Sequence, residues 1–149
     1  MTRPDLEEYF LDIAKQVSKR STCLRRKIGA VIVKDRFIIA TGYNGVPTGI
    51  QHCSERGCVK DIKNIPSGSG ADDCFAVHAE ANAIIMAAHH GISIKNSILY
   101  CTNQPCFNCA KMIINAGIKK VISASDYPDT KTLGLLHQAG IEYSLWEGK

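Results

Sequence analysis

At 149 residues with 45% hydrophobic content, the chain is long enough to bury one core and short for two. A net charge of +4 without a long basic stripe argues against a dedicated nucleic-acid binder; no run approaches the ~18 apolar residues of a membrane span, and the opening MTRPDLEEYF lacks the layout of a signal peptide. The expectation is one domain over residues 1–149, cytoplasmic, with neither membrane nor nucleic-acid partners, in which seven cysteines are metal ligands, reactive groups or core fillers and not a disulfide framework.

Leu6, Phe10, Ile13 and Val17 recur at helical spacing behind Pro4 and Asp5, which predicts an amphipathic first helix. The cluster Arg25-Arg26-Lys27 follows, and with Lys119-Lys120 it suits a phosphate-bearing small molecule, although neutral-substrate enzymes look the same and solvated surface charge is the leading reading for most of these residues. Two β-branched runs, Ile28 to Val33 and Phe37 to Thr41, are split by Lys34-Asp35-Arg36 and read as a hairpin. From Gly42 to about Ala71 no periodicity survives; a segment this long is functional or held by something. HAEANAIIMAAHHG is an alanine-rich helix stopped at Gly91, SILYCT a strand, and CFNCAKMIINAG a helix opened by Pro105 and closed by Gly117. KKVISAS, DTKTLGLLHQAG and IEYSLW supply strand, helix and strand. The order α-β-β-α-β-α-β-α-β predicts a mixed sheet of five strands with helices on both faces, a three-layer α/β/α arrangement.

The chemistry concentrates in PCFNC. Cys106 and Cys109 share one face of a helix's first turn, where free N–H groups and the positive dipole end favour thiolates. The pair alone fits a redox site as well as half of a metal site. His78 and Glu80 of HAE decide between them: they lie at the start of the preceding helix, and two helix starts converging on one point would bring a His and two thiolates together. These are three protein ligands of a tetrahedral zinc with the fourth position open, as in catalytic and not structural sites. Glu80 is left over to move protons.

HAE followed by PCFNC resembles the H-x-E…P-C-x-x-C signature of the zinc-dependent nucleoside and nucleotide deaminases. GAVIVKDRFIIATGYNGVPTG, HAEANAI and AKMIINAGIKKVI are similar, over nearly the whole chain, to the deoxycytidylate deaminases, and TCLRRKIGAVIV and HCSERGC to their bacterial and phage forms. That resemblance implies a cytidine-deaminase-like fold and hydrolysis at C4 of dCMP to give dUMP and ammonia, feeding dTTP synthesis. It gives His78, Cys106 and Cys109 as zinc ligands and Glu80 as the proton carrier. Asn44 would seat the sugar, the backbone at Ala79 the base edge, and Tyr127 the 5′-phosphate. It further implies a homo-oligomer, a hexamer in many relatives, activated by dCTP and inhibited by dTTP, with effector and accompanying Mg2+ near Gly42, Tyr43, Asn44 and Gly45.

The remaining thiols bear on the long aperiodic segment. Cys53 and Cys58 lie inside it and Cys74 at its edge, so a second, structural zinc would explain how it is held. The resemblance matches Cys23 and Cys53 to such a site and leaves Cys58, Cys74 and His52 as candidates; free thiols are the alternative reading. Cys101 reads as core, His89 and His90 as helix-end residues, His137 as surface, and Phe107 and Trp146 as core or interface. Competing functions are deamination of another base, a nucleoside or tRNA adenosine, a non-catalytic zinc-stabilised binding module, and a thiol redox protein. Glu80 argues against the module, which has no use for a carboxylate beside an open metal position.

Overall fold

Asp5 caps the first helix, α1 (Leu6–Ser18), by accepting a hydrogen bond from the Glu8 N–H at 2.8 Å, and Glu7 and Glu8 place negative charge at the positive end of its dipole. The computed structural model in which this is seen describes residues 2–125 and 129–148. The predicted hairpin follows as β1 (Gly29–Lys34) and β2 (Phe37–Tyr43), antiparallel. Its two turn residues, Asp35 and Arg36, both take positive φ (53° and 68°), the twist that suits a two-residue connection.

The aperiodic segment contains two single-turn helices, α2 (Cys53–Arg56) and α3 (Val59–Ile62), too short to leave a periodic trace in sequence. Then come α4 (Ala79–His89), β3 (Ile98–Cys101), α5 (Phe107–Asn115), β4 (Lys120–Ser123), α6 (Thr130–Gln138) and β5 (Glu142–Leu145). Gly91 and Gly117 follow the ends of α4 and α5 with φ of 66° and 83°, conformations a side chain would oppose.

The five strands form one sheet in the order β2-β1-β3-β4-β5; β1 is antiparallel to both neighbours, and β3, β4 and β5 run parallel. The expected mixed sheet and parallel second half are therefore present. Alternation along β1 sends Val31 and Val33 to the α1 face, with Phe10, Leu11, Ala14 and Tyr100. Ala30 and Ile32 go to the other face, where Leu99 and Val121 of the sheet pack with Ile113 of α5, Leu136 of α6 and the alanines of α4. Each fully buried Leu, Ile or Val contributes about 1.5–3 kcal/mol, and both layers close on the same strand. No helix among the described residues is long and apolar enough to cross a membrane.

Two glycines set how closely the helices approach the hairpin. A Cβ on Gly29 would stand 2.0 Å from the Ala14 carbonyl oxygen of α1. One on Gly42 would stand 2.3 Å from the Ala79 carbonyl oxygen and 2.4 Å from the Ala83 nitrogen. The alanine stripe Ala79, Ala83 and Ala87 seats α4 directly on β2, which fixes the helix start that carries the site residues.

Polar ties hold the irregular segment. Arg25 donates through Nε to Asp61 Oδ1 at 2.8 Å and through Nη2 to the Ile65 carbonyl at 2.6 Å. Lys63 pairs with Asp73 at 2.8 Å, and the Arg56 guanidinium lies 4.3 Å from the centre of the Phe75 ring.

Candidate active site

His78 is the N-cap residue of α4, and Cys106 is the N-cap of α5. The second helix begins at Phe107, two residues past Pro105: Cys106 Sγ accepts from the Cys109 N–H at 3.5 Å, so the thiol does the capping. Both helix starts face the ends of the sheet where β3 and β4 finish, the usual ligand-binding edge of parallel strands. They bring His78 Nδ1 to 3.4 Å from Cys106 Sγ and 3.4 Å from Cys109 Sγ.

All three donor atoms lie within 4.8 Å of one another, and no other such group occurs among the described residues. Zn–N and Zn–S bonds of about 2.0 and 2.3 Å at a tetrahedral angle require N···S separations of about 3.5 Å, so the donor set fits zinc with little rearrangement. Cys109 is buried, Cys106 half-buried and His78 exposed, which leaves one side of the site open to solvent.

Without metal the two thiols divide one proton unequally. The hydrogen bond from Cys109 holds the Cys106 thiol down to about 4, helped by His78. That same pairing, together with burial and the nearby Glu80, pushes Cys109 far up. His78 is raised, chiefly by its hydrogen bond to Cys106. Glu80, only 3% exposed, is raised by burial. The site thus combines a preformed metal triad with a carboxyl group whose surroundings favour its protonated form.

The start of α4 is tied to the end of β2. Gly45 and Val77 exchange backbone hydrogen bonds at 3.1 and 2.7 Å, and Asn82 Nδ2 donates to the Tyr43 carbonyl at 2.8 Å. Asn44 is buried; its Oδ1 accepts from the Ile28 N–H at 2.9 Å and its Nδ2 donates to the Arg26 carbonyl at 3.0 Å. Those two bonds use one of the amide's two N–H groups and one of its two lone pairs. Ala79 is fully buried with its carbonyl against Gly42, and its N–H lies in the first turn of α4, among the donors that have no partner within the helix. Tyr127 lies outside the described residues.

Cys53 and Cys58 are buried, Cys23 and Cys74 half-buried. Burial pushes the Cys53 thiol up, and Cys23, Cys58 and Cys74 add to the effect. They are not at ligand spacing among the described residues. His52 turns to Thr22, 3.0 Å from Nδ1 to Oγ1. Asn82 was not singled out by sequence reasoning, although it sits inside HAEANAI on the face four residues beyond His78.

A His/Cys/Cys triad with a carboxyl group beside it, on two helix starts over a mixed sheet, defines the zinc-dependent deaminase class. The family profile described as "Cytidine and deoxycytidylate deaminase zinc-binding region" matches residues 4–125. The deoxycytidylate deaminase of Mycobacterium phage D29 is 43% identical over 82% of this chain and 96% of its own length. That of Schizosaccharomyces pombe is 39% identical over 94% of this chain, which spans 44% of the yeast protein's length. In structure, the dCMP deaminase of cyanophage S-TIM5 in complex with dCMP and dUMP superposes with a TM-score of 0.78 at 34% identity, covering 98% of this chain and all of that one. The chain belongs to the cytidine and deoxycytidylate deaminase family, and its sheet and helices are the α/β/α fold of that family.

Proposed function

We propose that this protein hydrolyses dCMP to dUMP and ammonia, one water entering at C4 and one ammonia leaving. The observation that carries the reading is the meeting of the His78, Cys106 and Cys109 donor atoms with a buried Glu80 beside them. The choice of dCMP is supported by the D29 and S-TIM5 relatives, of whose own lengths 96% and 100% are matched. Bound zinc supplies a Lewis acid that makes water acidic near neutral pH. The chain's own residues do the rest. Glu80 accepts a proton from the attacking water and passes it to N3 of the pyrimidine, then takes the proton of the new C4 hydroxyl and delivers it to the amine, which leaves as ammonia. Burial raises the proton affinity of Glu80 above that of an ordinary carboxylate, the direction that suits a group that must both take and give a proton. The Ala79 N–H meets the base edge, Asn44 offers its remaining N–H and lone pair to the sugar, and Tyr127 meets the phosphate.

The finer parts of the reading concern regulation and assembly. The bridge between Gly45 and Val77 connects Gly42–Gly45 to the residue before His78, so dCTP or dTTP, carrying Mg2+ and bound there, would act on the placement of the α4 start. The outer face of α4 and its groove against α5 expose Ile85, Met86 and Met112, an apolar surface suited to another subunit of a homo-oligomer, a hexamer in this reading. The thiols around Cys53 would hold a second, structural zinc, and the working compartment is the cytoplasm.

Product formation from dCMP, deoxycytidine and cytosine at equal concentration tests the substrate. The proposal expects dCMP to be turned over at least tenfold more efficiently than deoxycytidine. Equal rates for the two would remove the phosphate from recognition, and with it the assignment to dCMP.

A further inference from the structure

We infer that Asn82 is a positioning residue: it ties the backbone on both sides of His78 to the end of β2 and so sets where the His78 ring meets the two cysteines. The inference rests on the reading of His78, Cys106 and Cys109 as zinc ligands and adds to it a residue outside that triad.

The need for such a tie begins at the start of α4. A Ser, Thr, Asp or Asn at an N-cap steadies its own position by accepting from the first-turn N–H groups. His78 occupies the N-cap and makes no side-chain capping bond; its ring is turned instead to Cys106 and Cys109, 3.4 Å from each sulfur. It is also exposed, so little packing holds it. Its two partners are secured differently: Cys109 is buried, and Cys106 caps α5 by accepting from the Cys109 N–H. His78 is therefore the ligand whose placement needs outside support.

Asn82, half-buried in the first turn of the helix, supplies it through both of its nitrogens. The backbone N–H donates to the His78 carbonyl at 2.9 Å, and Nδ2 donates to the Val77 carbonyl at 3.5 Å. The peptide groups before and after the His78 Cα are thus bound to one residue. Nδ2 carries two N–H groups, and it also donates to the Tyr43 carbonyl at the end of β2, 2.8 Å away. The Val77 carbonyl has a lone pair to spare for this contact, because its bond from the Gly45 N–H, at 3.1 Å, uses only one. An aspartate has the same shape and suits the positive end of the helix dipole, but it has no N–H to give.

Asn82→Ala and Asn82→Asp separate positioning from helix stability. If Asn82 serves α4 only as a first-turn residue, Ala gains from its helix propensity, Asp gains from the dipole, and both variants bind zinc as wild type does. Positioning predicts weaker binding in both, by about tenfold or more, the scale of changes to residues that orient a metal ligand. Asn82→Asp is expected to be the weaker of the two, because its carboxylate faces two carbonyl oxygens. Competition for zinc against a chromophoric chelator measures the affinity, at a temperature where calorimetry shows each full-length, metal-free variant folded. The measurement needs no turnover, so a wild type inert toward dCMP would fault the substrate assignment and leave this comparison in force. Zinc affinity within about twofold of wild type in Asn82→Ala overturns the inference, as does a loss in Asn82→Ala that Asn82→Asp does not share.

Discussion

Two groups of cysteines in this chain have opposite fates. Cys106 and Cys109 sit on the first turn of a helix whose start is fixed by the sheet beneath it, and with His78 they stand at zinc-ligand spacing. Cys23, Cys53, Cys58 and Cys74 lie on irregular backbone and single-turn helices and, among the described residues, do not stand at that spacing. The residue type is the same; the scaffold differs. Regular elements place ligands before the metal arrives, whereas a loop cluster needs the metal, or other ties such as Arg25 to Asp61, to complete it.

The largest effect that tests this contrast comes from the ligands. His78→Ala and Cys106→Ala are expected to lose bound zinc and to reduce turnover by more than the ~100-fold typical of changes around a metal's ligands. Cys53→Ser is expected to leave the zinc at the triad and turnover within a fewfold of wild type, while a second zinc per chain, counted by atomic absorption, disappears. If Cys53→Ser left the zinc count unchanged, the four loop thiols would be packing residues; if it emptied the triad as well, the two groups would be one unit.

A smaller effect is expected where the scaffold itself is changed. Gly42→Ala drives a Cβ to 2.3 Å from the Ala79 carbonyl oxygen, so β2 and α4 must separate. Overpacking of this kind costs about 1–3 kcal/mol, roughly 2–12 °C in Tm at this size, and it displaces the helix start that carries His78 and Glu80. Gly45→Ala, whose Cβ meets nothing within 4 Å, should be close to neutral in Tm by calorimetry. Equal losses in the two variants would contradict the role given to the α4 seat.

Zinc binding should strengthen with pH. In the metal-free protein Cys109 keeps its proton well above the ordinary thiol range, and Cys106 has lost its own above about 4. Binding therefore expels the Cys109 proton, and apparent affinity rises about tenfold per pH unit for each proton released. Calorimetric titration in buffers of different ionisation enthalpy should count at least one proton near pH 7; a count of zero would contradict the assignment.

The smallest effect concerns stability. Burial raises the Glu80 pKa above its ordinary carboxylate value, so the protonated form is favoured in the fold. The sign follows: relative to Gln, the wild-type residue costs nothing below about pH 4 and becomes progressively unfavourable as pH rises through the raised value. Metal-free Glu80→Gln should thus match wild type in denaturant midpoint at acid pH and exceed it at neutral pH.

Much of this was legible in the chain. The pattern of β-branched runs and alanine-rich segments gave the element order, because buried strands and capped helices leave strong local signals, as at Val31 to Val33 and at Gly91. HAE and PCFNC gave the triad, because ligand chemistry needs those residue types at helix starts. What escaped has a common cause. The two single-turn helices are held by tertiary ties and not by periodicity, and Asn44 gives half of its hydrogen-bonding capacity to Arg26 and Ile28, partners visible only in three dimensions. Cys101, which reads as core in the sequence, is fully buried in the layer covered by α4 and α5.

The central claim is that a zinc held by three side chains works with Glu80 on dCMP. Ammonia release from dCMP by wild type and by Glu80→Gln, with zinc counted in both, tests it most directly. The account predicts turnover by wild type and a loss of about 10²-fold or more in a variant that keeps its zinc. A wild-type protein that holds zinc yet releases no ammonia from dCMP, or a Glu80→Gln variant that is as fast as wild type, would contradict it.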